Sequence, residues 1–499
     1  MYANTNLSPE LYDLAQKLAE KSREFGLDFY DTIFEVVDYK QLNEIAAYGG
    51  FPTRYPHWRF GMEYERLSKS YTYGLSIIYE MVINNDPCYA YLMRANDMVS
   101  QKTVIAHVYG HCDFFKNNYW FSKTNRKMLD QMANHASVVR RLIEDVGHDE
   151  VENFIDACLS LENLIDIFAP FNKPSEESSS DSGSETYRKE PVKKMKAKKY
   201  MDSYINPEEF LEQQQKKKDD LSNRKKSFPE VPERDILSFL IEYAPLSSWE
   251  KKLITIVKDE AYYFAPQGQT KILNEGWATY WHSEMMTKIM PLKASEIVDY
   301  CSQYSGIVAS APGGLNPYKM GVELLRHIKD RWDKGRFGID YLNCKDPRQR
   351  EKWDTQAGKG HEKLFEVRRV HNDITFIDSF LDEDFCHEHK MFIYDYDRRT
   401  NRYVISGRRF EDVKNQLLKQ LTNFGQPIIS VIDGNYKNRG ELLLSHSHEG
   451  TDLKHEFTTE VLSNLHAIWR RPVHLATVIE DVKRRVSFDG TNHSVEKMS

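Results

Sequence analysis

Hydrophobic side chains recur at steps of three and four along the first two-thirds of the chain, as Leu11, Leu14 and Leu18 do near its beginning. This spacing places them on one face of an α-helix, so this part of the chain is predicted to be mostly helical. Helices are expected to end before prolines such as Pro266, because the residue preceding a proline avoids the helical conformation. The predicted helices lie at 8–25, 60–82, 99–117, 123–146, 149–168, 233–264, 272–289, 293–305 and 317–333. No alternating strand pattern is recognised between them.

After about residue 360 the pattern becomes mixed. Short runs rich in β-branched and aromatic residues predict strands, and turn residues such as Asp433-Gly434-Asn435 lie between them. Helical spacing returns at 409–423 and 453–468. The predicted strands are Met391–Tyr396, Arg402–Ser406, Ile428–Ile432, Glu441–Ser447, Val473–Glu480 and Arg484–Phe488. Together these elements predict a second, smaller domain of α+β type.

The segment 173–230 has a different composition from its surroundings. An acidic, Ser-rich stretch at 176–181 precedes a Lys- and Arg-rich block at 188–199, which is typical of a disordered insertion. The helices on both sides of it are expected to form one bundle, because their apolar faces need partners. The predicted fold class is therefore α+β. Its expected parts are a helical domain in two halves, 1–172 and 231–345, the insertion at 173–230, and the α+β domain at 360–490.

Charge and composition exclude several classes of function. The 499 residues include 68 Lys and Arg and 75 Asp and Glu, a net charge of −7, so the basic field of a nucleic-acid-coating protein is absent. Nucleic acid is therefore not an expected partner, and the block at 188–199 is interpreted as a solvated linker. Six cysteines without a C-x-x-C pair favour reduced thiols. With no signal-peptide pattern and no stretch of about 18 apolar residues, we expect a cytoplasmic protein without a membrane span.

The most informative chemical pattern is the pair His107 and His111. Residues four apart on a helix are separated by about 40° in azimuth and about 6 Å along the axis, so two imidazoles could reach one metal ion. The spacing is that of H-E-x-x-H, but Val108 stands where that motif has its catalytic glutamate. On spacing alone, an exposed or core histidine pair is the commoner explanation.

A second pattern surrounds Glu275, which stands on a predicted helix crowded with aromatic residues. An unpaired carboxylate is costly to bury there, so a partner is expected. Two histidines and a glutamate form the ligand set of catalytic zinc sites with an open position, and the expected metal ligands are His107, His111 and Glu275. The alternative is a helix-start carboxylate stabilised by the helix dipole.

The remaining candidate residues are less specific. His282 lies about 10.5 Å along the helix from Glu275, too far for the same ion, and is expected to support the site or bind substrate. With Val108 replacing the usual base, Tyr109 and His282 are the candidate catalytic groups for proton transfer. Asp113 is expected either to orient an imidazole or to lie in solvated surface. The pairs His387/His389 and His446/His448 could each hold a metal on a strand, though neither has a recognisable third ligand nearby apart from Glu449 or Asp452.

Five long motifs in this order resemble the SpoVR family, stage V sporulation protein R. They span nearly the whole chain outside the insertion and lie at 55–65, 107–118, 274–282, 316–321 and 370–373. The resemblance implies a bacterial cytoplasmic protein associated, in spore formers, with making the spore cortex, a peptidoglycan layer. It also implies a role beyond sporulation, since family members occur in bacteria that form no spores.

Two hypotheses of function follow. In the first, the protein is a zinc-dependent hydrolase, an amidase or peptidase acting on peptidoglycan-related or protein substrates through His107, His111 and Glu275. In the second, it is a non-catalytic regulatory scaffold for cortex assembly that keeps a structural or vestigial metal site, and its protein partners dock on the α+β domain and the linker. The missing glutamate of the H-E-x-x-H pattern favours the second hypothesis. The sequence identifies neither the substrate nor a specific partner.

Overall fold

A computed structural model of the chain describes residues 7–72, 80–172, 228–290, 292–309 and 314–498. The insertion predicted at 173–230 lies outside the described residues except for its last three. Residues 73–79 of the helix predicted at 60–82 lie outside them as well. Within the described part of the chain, no helix is long and apolar enough to cross a membrane. The chain divides into two compact units, residues 1–151 with 262–426 and residues 152–261 with 427–499. This division does not test the domain boundaries expected from the sequence, which stay a prediction.

Helices dominate the part of the chain before residue 390, as the spacing of apolar residues predicts. Those before the insertion are α1 (Pro9–Glu24), α2 (Tyr39–Ala47), α3 (Trp58–Thr72), α4 (Met98–Asn117), α5 (Met128–Val146) and α6 (His148–Leu159). Those that follow it are α7 (Ile236–Tyr243), α8 (Ser248–Gln269), α9 (Lys271–Glu284), α10 (Ile297–Ile307), α11 (Pro317–Asp333), α12 (Gly338–Asn343), α13 (Pro347–Glu351), α14 (Gly360–Val370), α15 (Asp373–Phe380) and α16 (Glu383–Glu388). Helix α9 continues directly into a π-helical turn, Met285–Ile289.

The expectation that no strands interrupt the first group of helices is wrong. Three strands, β1 (Thr32–Val37), β2 (Glu80–Ile83) and β3 (Cys88–Met93), form a sheet in the order β1-β3-β2. Strand β3 is central, parallel to β1 and antiparallel to β2. It is buried along nearly its whole length, so its sequence lacks the polar alternation that identifies a half-exposed strand. The last three residues of the helix predicted at 60–82 belong to β2 instead.

The expected helix end before Pro266 is also wrong, because α8 continues through it to Gln269. Proline removes one backbone donor and is costly inside a helix. Here it lies in the last turn of the helix, and the carbonyl of Pro266 still accepts a bond from the Thr270 hydroxyl at 2.7 Å. The interruption is confined to the helix end.

The predicted mixed region is confirmed. Its elements are β4 (Ile393–Asp397), β5 (Arg402–Gly407), α17 (Phe410–Leu421), β6 (Ile429–Tyr436), β7 (Glu441–His446), α18 (His455–Trp469), β8 (Val473–Ile479), β9 (Val482–Phe488) and β10 (His493–Lys497). Strands β4 and β5 form a hairpin, and the other five form a sheet in the order β10-β9-β8-β7-β6. Strand β10, with every residue exposed, was not predicted.

Three helices cross closely in the core of the first unit, at glycines. A Cβ atom added at Gly110 of α4 would lie 2.7 Å from the Cα of Ala278 on α9. One added at Gly276 of α9 would lie 2.4 Å from the Cα of Gly321 on α11. Real Cβ atoms do not approach other atoms so closely, so the missing side chains let the backbones of α4, α9 and α11 touch. These crossings fix the distance between the faces that carry the candidate ligands.

Candidate metal centre

His107 and His111 lie on one face of α4, as their spacing predicts, and both are buried. Asp97 caps the helix by accepting a bond from the Ser100 amide at 2.7 Å. Gly110 lies between the two histidines at the contact with α9. The close crossing therefore brings this face of α4 directly against the helix that carries Glu275.

Glu275 lies in the first turns of α9, next to Gly276. The start of this helix is held by Asp373, whose carboxylate oxygens accept the backbone N–H groups of Ile272 at 2.8 Å and Leu273 at 2.9 Å. Asp373, and not Glu275, thus binds two of the free N–H groups at the start of this helix. The Glu275 side chain instead faces the two histidines.

The three candidate ligands converge on one point. The Oε2 atom of Glu275 lies 3.5 Å from Nε2 of His107 and 3.4 Å from Nε2 of His111. One ligand atom from each residue lies within 4.8 Å of the other two, and this is the single group of three or more such ligands found in the described part of the chain. Two imidazole nitrogens and a carboxylate oxygen match the donors that zinc and similar divalent ions take in proteins.

Each histidine is held at its other nitrogen, and for His111 this contact sets the tautomer. Nδ1 of His111 lies 2.9 Å from Oδ1 of Asn274, and because that oxygen can only accept, Nδ1 carries the proton. The Nε2 atom of His111 then presents a lone pair toward Glu275. Nδ1 of His107 lies 3.0 Å from Nδ1 of His282, so one of these two nitrogens donates to the other. Metal-binding histidines in proteins are oriented by bonds of this kind.

The electrostatics of the group keep Glu275 ionised. Burial raises the pKa of the Glu275 carboxyl, but the imidazoles of His111 and His107 outweigh burial and hold this pKa well below its usual range. Burial, and then the neighbouring His107, hold the pKa of His282 far below its usual value, so His282 is neutral. The Nδ1 atom of a neutral His282 can accept a hydrogen bond from Nδ1–H of His107, and in that tautomer the Nε2 lone pair of His107 also faces Glu275.

A metal ion fits the arrangement of these atoms. The Oε2 atom of Glu275 is buried and makes no hydrogen bond, although two imidazole nitrogens lie within 3.5 Å of it. Protonated imidazoles would pair with this carboxylate, whereas two neutral imidazoles with their Nε2 lone pairs turned toward it would leave it buried without a partner, which is costly. A divalent cation would satisfy all three atoms at once.

The two residues predicted from the sequence to transfer protons, His282 and Tyr109, lie in different places relative to the three candidate ligands. His282 supports His107 from behind, as the estimated spacing along α9 suggests. Tyr109, two residues from His107 and so about 200° around the helix, points away from the group. Its hydroxyl donates to the carbonyl oxygen of Ala15 at 3.0 Å, and its ring stacks on Phe29. Nothing in this position supports Tyr109 as a proton-transfer group.

Asp113 has neither of the two roles expected from the sequence. It is fully buried, and its carboxylate contacts Trp277 Nε1 at 2.8 Å and Arg368 at 3.0 Å rather than an imidazole. Burial raises the pKa of Asp113 to about 7 against the opposing effect of Arg368. The residue therefore ties α4 to α9 and α14.

The two H-x-H pairs of the later part of the chain form no comparable group. His446 contacts the hydroxyl of Thr477 at 2.9 Å, and His448 contacts Asp452 at 2.8 Å. His387 lies on the helix α16, not on a strand, and is 3.8 Å from Glu383. His448 also accepts a bond from the Gly450 amide at 3.3 Å, and none of these histidines shares a point with two other potential ligands among the residues that the structure describes.

Three residues that complete the site were not singled out from the sequence. Asn274 orients His111, Asp373 holds the start of α9, and the ring of Tyr318 on α11 stacks on His107 with centroids 6.2 Å apart. All three lie inside the motifs 274–282, 316–321 and 370–373. Their positions inside these motifs were the one sequence signal that pointed to them. The motifs do not reveal which residues they contact, because those contacts arise from the tertiary fold.

Comparison with known proteins covers almost the whole chain. The family profile described as SpoVR like protein matches residues 6–426, and the profile described as SpoVR-like C-terminal domain matches residues 427–480. A relative from Escherichia coli strain K12, named "Uncharacterized protein YcgB", is 28% identical over 482 residues, which cover 92% of this chain and 89% of the relative. No solved structure matches the chain.

Proposed function

Because the chain belongs to the SpoVR family, we propose that it is a divalent-metal hydrolase, with zinc as the expected ion, that acts in bacterial cell-wall processes such as spore-cortex formation. His107, His111 and Glu275 would hold the ion. The observation that carries the proposal is the convergence of Nε2 of His107 and Nε2 of His111 on the buried Oε2 of Glu275, which makes no hydrogen bond. The proposed substrates are amide bonds of peptidoglycan-related peptides or proteins.

The chemistry expected of such an ion is polarisation of a carbonyl and a lower pKa of bound water. Three protein ligands leave room for a further one, as in catalytic rather than structural zinc sites. The protein residues contribute orientation: Asn274 and His282 fix the two imidazoles, and Tyr318 packs on the ring of His107. A site held on crossing helices also keeps its ligands in place when the ion exchanges.

The second candidate, a non-catalytic scaffold with a structural ion, is supported by one observation. Val108 stands where the related metalloprotease motif has its base, and the hydroxyl of the neighbouring Tyr109 is bonded to Ala15. A group that holds an ion without a base nearby would stabilise the helix crossing without turnover.

Assays of amide hydrolysis separate the two candidates. The zinc-loaded protein is incubated with peptidoglycan stem peptides and with a peptide library, and new amino termini are detected by mass spectrometry. The hydrolase proposal expects cleavage that disappears in Glu275→Gln and with a chelator, while His361→Ala, which removes an exposed histidine outside the group, leaves it unchanged. Zinc binding without cleavage of either substrate set would favour the scaffold. Equal cleavage by Glu275→Gln would contradict the proposed site.

A further inference from the structure

An open groove of about 860 Å³ lies in the first unit, away from the face of α11 that contacts α9. One side of it is the face of α11 formed by Asn316, Lys319, Met320 and Glu323. The opposite face of the same helix carries Gly321, which touches α9. The other walls come from the β4–β5 hairpin, the segment before it and α17. The groove is therefore separate from the candidate metal centre, although α11 contributes to both.

Large apolar side chains of the groove are exposed to solvent. Leu315, Tyr403, Val404 and Ile405 line it and are 40%, 55%, 44% and 40% exposed. Small-molecule sites are concave and enclose most of the ligand's surface, whereas grouped exposed apolar side chains are typical of surfaces that bind another chain. The open shape and exposed lining favour a polypeptide as the occupant.

The charges of the groove are predominantly positive. Lys319, Lys390 and Arg408 line it, and among the described lining residues Glu323 is the single carboxylate. Glu323 is already paired with Arg326 at 3.0 Å. Three cationic side chains beside apolar ones would attract an acidic segment and disfavour a basic one.

The hairpin beside the groove can pair with an extended chain. Strands β4 and β5 pair only with each other among the described strands, so each has one edge whose N–H and C=O groups are free of strand partners. Successive residues of a strand point to opposite faces, yet Tyr403, Val404 and Ile405 all line the groove. A groove lined by three consecutive strand residues extends along the strand and not over one face alone.

From these observations we propose that the groove binds an extended, acidic peptide segment of a partner protein, which adds to the hairpin as a strand. Its backbone would pair with the free strand edge, its apolar side chains would cover Tyr403 and Ile405, and its carboxylates would meet Lys390 and Arg408. This inference does not depend on the metal or on the proposed hydrolysis.

Binding of a defined probe tests the proposal. A fluorescein-labelled octapeptide that alternates glutamate with valine and phenylalanine is titrated with the full chain and followed by anisotropy. We expect saturable binding that weakens at least tenfold when lysine replaces glutamate, and at least tenfold when prolines replace alternate residues and remove backbone donors. No binding of the acidic peptide, or equal binding of the lysine peptide, would overturn the proposal.

Charge-reversal variants locate the binding surface. Lys390→Glu with Arg408→Glu is expected to weaken binding at least tenfold, whereas Arg398→Glu with Arg399→Glu makes the same charge change in the exposed hairpin turn, outside the lining, and is expected to weaken it less than threefold. Hydrogen exchange of β4 and β5 should slow when the acidic peptide binds. Equal weakening by both double variants, or protection confined to other elements, would contradict the assignment. His107→Ala should bind the peptide normally, so this test is independent of the metal centre.

Discussion

The imidazole of His111 donates from Nδ1 to the side-chain oxygen of Asn274 over 2.9 Å. This bond joins α4 to α9 and leaves Nε2 of His111 unprotonated, facing Glu275 at 3.4 Å. Asn274 therefore sets the tautomer and orientation of His111, a ligand of the proposed metal centre. In the proposed metal centre its neighbour in the sequence, Glu275, would supply a ligand itself.

Asn274→Ala is predicted to lower zinc affinity by about 10-fold to 100-fold, because the orienting bond of a metal-bound histidine is lost. Asn274→Asp keeps an oxygen acceptor for Nδ1 and is predicted to retain most of the affinity. Competition titration with a chromophoric chelator measures both, and thermal unfolding of the metal-free proteins controls for folding. Equal affinity in Asn274→Ala and the unmodified protein would rule out this role.

The glycine contact between α9 and α11 gives a prediction about stability. A Cβ at Gly321 would lie 2.2 Å from the carbonyl oxygen of Ile272, a backbone atom that cannot move alone. Gly321→Ala is therefore predicted to lower the free energy of unfolding by about 2 kcal/mol or more. Gly61→Ala on α3, where no atom lies within 4 Å of the added carbon, is the matched control and should raise stability by up to about 1 kcal/mol. Urea unfolding measures both, and a Gly321→Ala protein as stable as the control would contradict the crossing.

Asp373 is predicted to make stability depend on pH. Burial raises the pKa of Asp373 to about 7, although the bonds from the Ile272 and Leu273 amides lower it. In the unfolded chain the pKa of an aspartate is about 4. The folded protein thus holds this proton more tightly, so the stability it contributes is present below about pH 4 and is lost as the pH rises to about 7. Over that window, the free energy of unfolding should fall relative to that of Asp373→Asn.

Urea unfolding at several pH values between about 4.5 and 7.5 tests this slope. Asp378→Asn removes an exposed carboxylate of the same helix, which pairs with Lys414 at 3.0 Å, and reports the pH dependence of a lost surface carboxylate. A stability difference between the protein and Asp373→Asn that stays constant across this range would contradict the prediction.

Tyr109 is predicted to stabilise the fold without taking part in chemistry. Tyr109→Phe removes the bond to the Ala15 carbonyl and should lower the free energy of unfolding by about 1 kcal/mol. Zinc affinity and any hydrolytic rate should stay within twofold of the unmodified protein. A large loss of rate at unchanged zinc affinity would restore the role first expected from the sequence.

The sequence predicted elements whose pattern is local. The period of apolar residues identifies α4 and α11, and the i and i+4 spacing puts His107 and His111 on one helix face. Strand β3 was missed because burial on both faces removes the alternation that marks a strand. Asn274 and Tyr318 were missed as site residues because their contacts arise from helix crossings at Gly110, Gly276 and Gly321, which no spacing within one helix encodes.

For the charged insertion, the composition predicts disorder. This stays a prediction, because the segment falls almost entirely outside the described residues.

The role of Asp113 could not be predicted from its position in the sequence. Its place two residues after His111 suggested a bond to an imidazole. Residues two apart on a helix point about 200° apart, and Asp113 bonds instead to Trp277 and Arg368.

The central claim is that His107, His111 and Glu275 bind one zinc ion. Zinc content by mass spectrometry tests it most directly, together with titration calorimetry on metal-free protein. The unmodified protein and the control His361→Ala should each bind about one zinc ion per chain. The double variant His107→Ala with His111→Ala should bind none at the same site, and Glu275→Gln should bind more weakly, while circular dichroism shows all four folded. Equal zinc content and affinity in the double variant and the unmodified protein would contradict the account.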